Sequence, residues 1–406
     1  MKITLTVTEG PHQGASFEFR EHDTFLVGRS PDAQFRLPLK DIALSRTHFL
    51  VEVNPPLCRL MDMASTNGVR INGKKVHTAD LRDGDRIQAG NTALTFAIVP
   101  DAAKEDESTI LWPATYVGPS DTTPDRVAAV SPYPGFAIDR TLGEGGMGVV
   151  HLARRESDGA AVALKVIRSA HAADDVVLSR FLREASILRK LDHRHIVRFL
   201  EIGFAHGQIF FAMEYVEGKN AADLINTKGP MPIQVAAGLG CQALEALQYA
   251  HSLGFVHRDI KPENILLSKH EGKTRLKLAD FGLARIYQDS SLSGLSVTGQ
   301  AGGTLAYMPP EQITHFRDAK PPADLYALGA TLYNLLTGAR LFDSRGRTDK
   351  LVAMILSDTP IPLQSRRPEV PDGLAEIIHK ALEKKPEDRF ANATAMRDAL
   401  RPFATL

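Results

Sequence analysis

Cysteine is almost missing from this chain. Cys58 and Cys241 are the only two in 406 residues, far apart and each flanked by apolar neighbours. That excludes a disulfide-stapled scaffold and points to buried free thiols in a reducing compartment. Long apolar runs are missing too. No stretch of about 18 apolar residues occurs, so no membrane-spanning helix is expected. The N-terminus alternates apolar and polar residues from Met1 to Thr8, the period of a strand and not of a secretory h-region. Net charge is absent as well: 48 basic residues cancel 48 acidic ones, so nothing suggests a nucleic-acid or membrane surface. The expectation is a cytoplasmic, soluble protein.

What is present divides into three segments. Residues 1–99 carry short alternating runs, among them Ile3-Leu5-Val7, Phe17-Phe19, Phe49-Val51-Val53, Val69-Ile71 and Leu94-Phe96-Ile98. Asn67-Gly68, Asn72-Gly73 and Asp83-Gly84 punctuate them, the pattern of an all-β sandwich. Residues 100–132 are rich in Ser, Thr, Asp and Glu and broken by proline and glycine, which is linker composition with a reach of about 30 Å. Residues 133–403 begin strand-rich and turn helix-rich after about Val216, where Leu239, Leu244, Leu247 and Ala250 show helical spacing.

Two short runs in the third segment carry chemistry: His257-Arg258-Asp259-Ile260-Lys261-Pro262-Glu263-Asn264 and Asp280-Phe281-Gly282. Asp259 can accept a proton from an attacking hydroxyl. Asn264 and Asp280 are oxygen ligands of the kind Mg²⁺ prefers, and Lys261 is a cation for a transferred phosphate. Together these runs resemble the catalytic core of a eukaryotic-like (Hanks-type) protein kinase, and Lys261, two residues after Asp259, resembles the serine/threonine branch.

The resemblance implies an α+β bilobal kinase domain over residues 133–403, with ATP and Mg²⁺ (or Mn²⁺) as cofactors and protein substrates as partners. Leu142, Gly143, Glu144, Gly145, Gly146, Gly148 and Val150 fit the glycine-rich loop over the ATP phosphates. Ala163 and Lys165 follow on an apolar strand, where a lysine without a partner is costly. Glu184 is the expected partner. Met213, Glu214 and Val216 are the expected hinge, with backbone groups of the last two facing adenine. Thr304 is expected to bridge Asp259 and Lys261, Glu311 to pair with Arg389, and Asp324 to brace the catalytic loop. Pro309 stands where Ala or Ser is usual before Pro-Glu. Arg258 implies control by phosphorylation of the loop between Gly282 and Gly303, with Ser296 and Thr298 as acceptors, between two molecules in a transient homodimer.

In the first segment, Gly28-Arg29-Ser30, Ser45-Arg46-Thr47-His48, Ser65-Thr66-Asn67-Gly68 and Asn72-Gly73 recur in order. Together they resemble a forkhead-associated (FHA) domain. The resemblance implies a phosphothreonine-peptide site made of Arg29, Ser45, Arg46, Thr66 and Asn67, with His48 bracing the Ser45 loop. Its ligand would be another phosphoprotein, or this chain's own linker or loop after phosphorylation; Thr109, Thr115, Thr122 and Thr123 lie in the linker. Two other readings use the same residues: a pseudokinase scaffold without turnover, and a sandwich that serves only as a rigid domain.

Overall fold

The computed structural model describes residues 2–19, 24–31, 33–37, 41–54, 57–63, 65–99, 132–145, 148–167, 187–206, 208–270, 272–281, 304–314 and 319–404. The first segment folds as β1 (Lys2–Glu9), β2 (Ser16–Phe19), β3 (Thr24–Gly28), β4 (Phe35–Arg36), β5 (Phe49–Asn54), β6 (Leu57–Asp62), β7 (Val69–Ile71), β8 (Lys74–Val76), β9 (Thr78–Leu81), β10 (Arg86–Ala89) and β11 (Thr92–Val99). They form two sheets, ordered β2-β1-β11-β10-β7-β8 and β4-β3-β5-β6-β9. Alternation decides the register. Ile3 pairs with Ile98 and Leu5 with Phe96 across β1 and β11, and Ile3, Leu5, Val7 and Phe96 all point inward. They meet Phe25, Val27, Phe49, Val51 and Leu60 from the second sheet.

That second sheet departs from the usual half-wet antiparallel sheet. Every residue of β3 is buried, so both of its faces are covered. Phe25 and Val27 face the sandwich core, while Leu26, Leu50 and Met61 pack into the apolar cluster of the C-terminal segment.

The third segment opens with a five-stranded sheet of β12 (Phe136–Gly145), β13 (Gly148–Arg155), β14 (Ala161–Ile167), β15 (Phe199–Ala205) and β16 (Gln208–Glu214), ordered β12-β13-β14-β16-β15. One face holds a small core of Phe136, Val162, Leu164, Val166, Phe210 and Ala212. A small sheet of β17 (Lys219–Asn220), β18 (Ile265–His270) and β19 (Lys273–Leu278) lies at the junction with the helical lobe. Among the described residues the α-helices are α1 (Ala221–Lys228), α2 (Ile233–Ser252), α3 (Pro310–Thr314), α4 (Pro321–Thr337), α5 (Thr348–Ser357), α6 (Leu363–Arg366), α7 (Asp372–Ala381) and α8 (Ala393–Leu400).

The four spaced residues Leu239, Leu244, Leu247 and Ala250 all lie on the buried side of α2. Helix α4 is buried from Ala323 through Tyr333, as a helix apolar all round must be. Prolines at its first turn and left-handed Gly338 at its end define its length. Among the described residues no helix is long and apolar enough to cross a membrane. Cys58 and Cys241 are both free and buried, and burial pushes their thiols up to about 12 and about 11, so neither is a ready nucleophile.

Candidate functional site

The loop after α2 is shaped by one buried carboxylate. Asp324, in the first turn of α4, accepts the backbone N–H groups of His257 and Arg258, each at 2.8 Å, and His251 Nε2 at 2.8 Å. Burial works to raise this carboxyl, but the His251 hydrogen bond, the electrostatic pull of the neighbouring His251 and His257 rings and the Arg258 N–H outweigh it and hold the group below the usual carboxylate range. Thus anchored, Arg258 takes a left-handed backbone, φ 67°, a conformation L-residues avoid without such support. The side chain of the next residue, Asp259, is thereby turned into the cleft.

Asp259 is held from two sides. Lys261 Nζ donates to both carboxylate oxygens at 2.9 Å, and Asn264 Nδ2 donates to Asp259 Oδ2 at 2.9 Å and to its carbonyl at 2.8 Å. Lys261 also donates to Thr304 Oγ1 at 2.9 Å, so Thr304 reaches Asp259 through the lysine. With its amide nitrogen committed, Asn264 has its Oδ1 as the group able to ligate a cation.

Asp280 lies on the adjoining loop, also with a left-handed backbone, φ 61°. Two contacts tie the loops together: the Ala279 N–H donates to the Asn264 carbonyl, and His257 Nε2 donates to the Ala279 carbonyl, both at 2.9 Å. Lys165 Nζ, on β14, donates to Asp280 Oδ2 at 2.7 Å. Burial would raise the Asp280 carboxyl, but the Lys165 charge and hydrogen bond, with Lys261 farther away, hold it down and keep it ionised. Among the described residues no group of three His, Cys, Asp or Glu forms a metal cage. The two oxygen donors, Asn264 and Asp280, suit a Mg²⁺ that takes its remaining ligands from phosphates and water.

Above this cleft run β12 and β13. An added Cβ at Gly143 or Gly145 would meet nothing within 4 Å, so a ligand can approach that backbone. Gly148 is needed for another reason. Its φ is 149° and a Cβ there would sit 1.9 Å from the Val166 carbonyl. Leu142 is exposed on β12, and Val150 pairs with Lys165 across β13 and β14. At the far edge Ala163 pairs with Met213, and β16 ends at Glu214. The Glu214 N–H donates to the Arg198 carbonyl, and its side chain accepts from Lys277 Nζ at 2.7 Å. With its N–H committed, the Glu214 backbone can offer a ligand only its carbonyl.

The structure thus brings Lys165, Asp259, Lys261, Asn264, Asp280 and Thr304 into one cleft. Glu311 and Arg389 pair at 2.6 and 2.8 Å. Gly146, Glu184, Ser296 and Thr298 lie outside the described residues, as does the linker through residue 131. Sequence reasoning missed three supports. They are His251 on Asp324, Lys277 on Glu214, and Gln312, whose Nε2 donates to the Arg258 carbonyl at 2.5 Å. His251 carried a faint signal as a histidine in the last turn of its helix, but all three pairs are far apart in sequence.

A second site stands at one end of the sandwich. The Arg29 and Ser30 N–H groups donate to the Ser45 and Arg46 carbonyls, and Gly28 allows this approach because a Cβ would lie 2.1 Å from the Arg46 carbonyl. Ser45 Oγ accepts the Thr66 N–H at 3.1 Å, so its own proton remains to be donated outward. Asn67 Nδ2 donates to the Ala43 carbonyl. Buried His48 accepts the Ser45 N–H at Nδ1, so Nε2 carries the proton and faces the Gly68 carbonyl at 3.3 Å. Burial keeps its pKa below the ordinary value despite Gly68, Asp62 and Asp41, so the ring is a neutral brace. Asn72 and Gly73, both at positive φ, make the tight turn between β7 and β8. Asp41, unnoticed in the sequence, closes the loop from beneath by accepting from Ala43, Asn91 and Thr92.

The family model described as protein kinase domain matches residues 136–400, and one described as inner membrane component of T3SS, cytoplasmic domain, matches residues 6–99. Serine/threonine-protein kinase PknJ of Mycobacterium tuberculosis is 38% identical over 66% of this chain and 45% of its own length. PknF of the same organism is 37% identical over 68% of this chain and 57% of its own. The chain therefore spans about half the length of the curated relatives it matches. Among solved structures, the M. tuberculosis PknI kinase domain aligns with TM-score 0.53 at 29% identity, covering 69% of this chain and all of that one. Rad53 residues 1–466, solved with AMP-PNP, aligns over the full length of both chains with TM-score 0.56 at 24% identity, a likeness of fold.

Proposed function

Because the chain belongs to the protein kinase family, we propose that it moves the γ-phosphate of ATP to serine or threonine hydroxyls of proteins, and that its N-terminal sandwich of forkhead-associated type reads phosphothreonine. The observation that carries the first part is the convergence of Asp259, Lys261, Asn264 and the Lys165–Asp280 pair in one cleft. Adenine takes the Glu214 carbonyl and the Val216 backbone, with Met213 behind it. The glycine-rich strand and Lys165 cover the phosphates. Bound Mg²⁺, held by Asn264 and Asp280, would neutralise charge on the phosphates. The substrate hydroxyl attacks the γ-phosphorus as its proton passes to Asp259. The bond from that phosphorus to the β–γ bridging oxygen breaks, and ADP leaves. Lys261 offsets negative charge on the moving phosphoryl group and keeps Asp259 oriented.

Radiolabel transfer from ATP to a generic protein substrate tests this, with Asp259→Asn as control. Near-parental transfer by that variant would remove Asp259 from its role, and no transfer by the parent would favour a scaffold. Phosphosite mapping after incubation with Mg-ATP tests the accompanying proposal that Ser296 and Thr298 are modified and engage Arg258.

The second part rests on Arg29, Ser45, Arg46, Thr66 and Asn67 at one end of the sandwich. A phosphate dianion needs a charged fork and hydroxyl and amide donors, and these residues supply both. Titration with matched phosphothreonine and threonine peptides decides it. Arg29→Ala with Ser45→Ala should abolish the difference, and equal binding of both peptides by the parent would refute it. The domain limits proposed are 1–99, 100–132 and 133–403, in a cytoplasmic protein.

A further inference from the structure

The outer face of the sandwich's second sheet has an unusual composition. Along β3, β5 and β6 the residues pointing away from the sandwich core include Thr24, Leu26, Leu50 and Met61, each no more than 3% exposed. Leu26, Leu50 and Met61, with Ala33 and Met63, make an apolar patch that joins the helical lobe's core cluster rather than the sandwich's own. A free domain on a tether would leave that patch in water. The polar contacts at its edge match. Thr24 Oγ1 donates to the Ile313 carbonyl at 2.6 Å. Ile313 is in the last turn of α3, where a helix carbonyl has no partner of its own. Beside it, a cavity of about 450 Å³ is walled by Arg59, Met61 and His77 on one side and Arg347 and Asp349 on the other.

We propose that this sheet face is a docking surface whose partner is the chain's own helical lobe, at α3 and the first turn of α5. The N-terminal domain is then a fixed part of the enzyme and not a mobile tethered reader. Two consequences follow from where the patch lies. Ala33 follows the Arg29-Ser30 loop and Met63 precedes Ser65-Thr66, so the phosphothreonine loops sit at the rim of the interface. The other side of α3 faces the catalytic loop: Gln312 holds the Arg258 carbonyl and Glu311 holds Arg389. The docked domain thus clamps α3 from outside, and it covers that surface against a second kinase copy or a protein substrate. The docking stands whether or not the loops bind phosphothreonine.

The test uses the full chain, wild type and Leu26→Glu/Leu50→Glu, in small-angle X-ray scattering and hydrogen exchange. The parent should scatter as one compact body. The variant should have a larger maximum dimension, with exchange on the order of tenfold faster at residues 310–314 and 348–357. Protection at β1 and β11 reports whether its sandwich remains folded. If that protection is lost, the kinase-side variant Asp349→Arg, which sets a cation opposite Arg59 and His77, decides the matter and should shift both measurements in the same direction. Parent scattering of two separated bodies would overturn the proposal. So would unchanged exchange at α3 and α5 in a folded variant.

Discussion

Arg389 uses all five of its N–H donors. Nε donates to the Glu383 carbonyl, one terminal nitrogen to Glu311 Oε1 and the Pro322 carbonyl, and the other to Glu311 Oε2 and the Lys384 carbonyl. Its guanidinium also lies 5.0 Å from the centre of the Tyr326 ring. Removing the acid alone leaves a fully buried cation with no counter-charge, which costs about 3–5 kcal/mol. Because the Glu311 side chain is 22% exposed, water relieves part of the strain. Glu311→Ala should therefore fall near the low end, about 3 kcal/mol, or a loss on the order of 10 °C in the kinase-domain transition. Arg389→Met should cost more. It strips three carbonyls of donors at about 1 kcal/mol each and forfeits the ring contact at about 1 kcal/mol. The double variant should match Arg389→Met within about 1 kcal/mol, since the partly wet carboxylate has little left to lose. Calorimetry of the four proteins gives the cycle. If Glu311→Ala costs under about 1 kcal/mol, or the two single losses simply add, the pair does not couple as argued.

Asp259→Asn should lower turnover by more than about 100-fold while leaving the unfolding transition in place, since its neighbours Lys261 and Asn264 retain other partners; a change confined to KM would contradict this. The Asp324 carboxyl lies below its unfolded value of about 3.9, so its stabilisation is present above about pH 4 and is lost as pH falls through the depressed folded value. Asp324→Asn should accordingly flatten the acid limb of a stability-against-pH curve as well as lower its plateau, and an unchanged acid limb would exclude that linkage. Gly148→Ala should weaken nucleotide binding in a calorimetric titration, because its Cβ has no room against Val166. Gly145→Ala, facing open space, should have a much smaller effect, and equal losses would show that the collision is not the cause.

Much of this protein was legible in its sequence because the chemistry is local. Asp259, Lys261 and Asn264 lie within one loop, and their short spacing already implies side chains that meet. The alternation in β1 and β11 determined which face is buried, and Asn72-Gly73 determined a hairpin, since few residue pairs tolerate positive φ twice in succession. Other features depended on partners far apart in the chain. The pairing of Lys165 with Asp280, the brace of His251 under Asp324 and the grip of Gln312 on Arg258 each need a lobe or helix to be placed before they exist. The clearest case is the run from Thr24 to Gly28. The structure makes it a strand with Phe25 and Val27 on one face and Leu26 on the other, and nothing in the sequence says what covers the second face. Burial is a property of what surrounds a surface, and only the tertiary structure supplied the lobe that lies against Leu26 and Leu50.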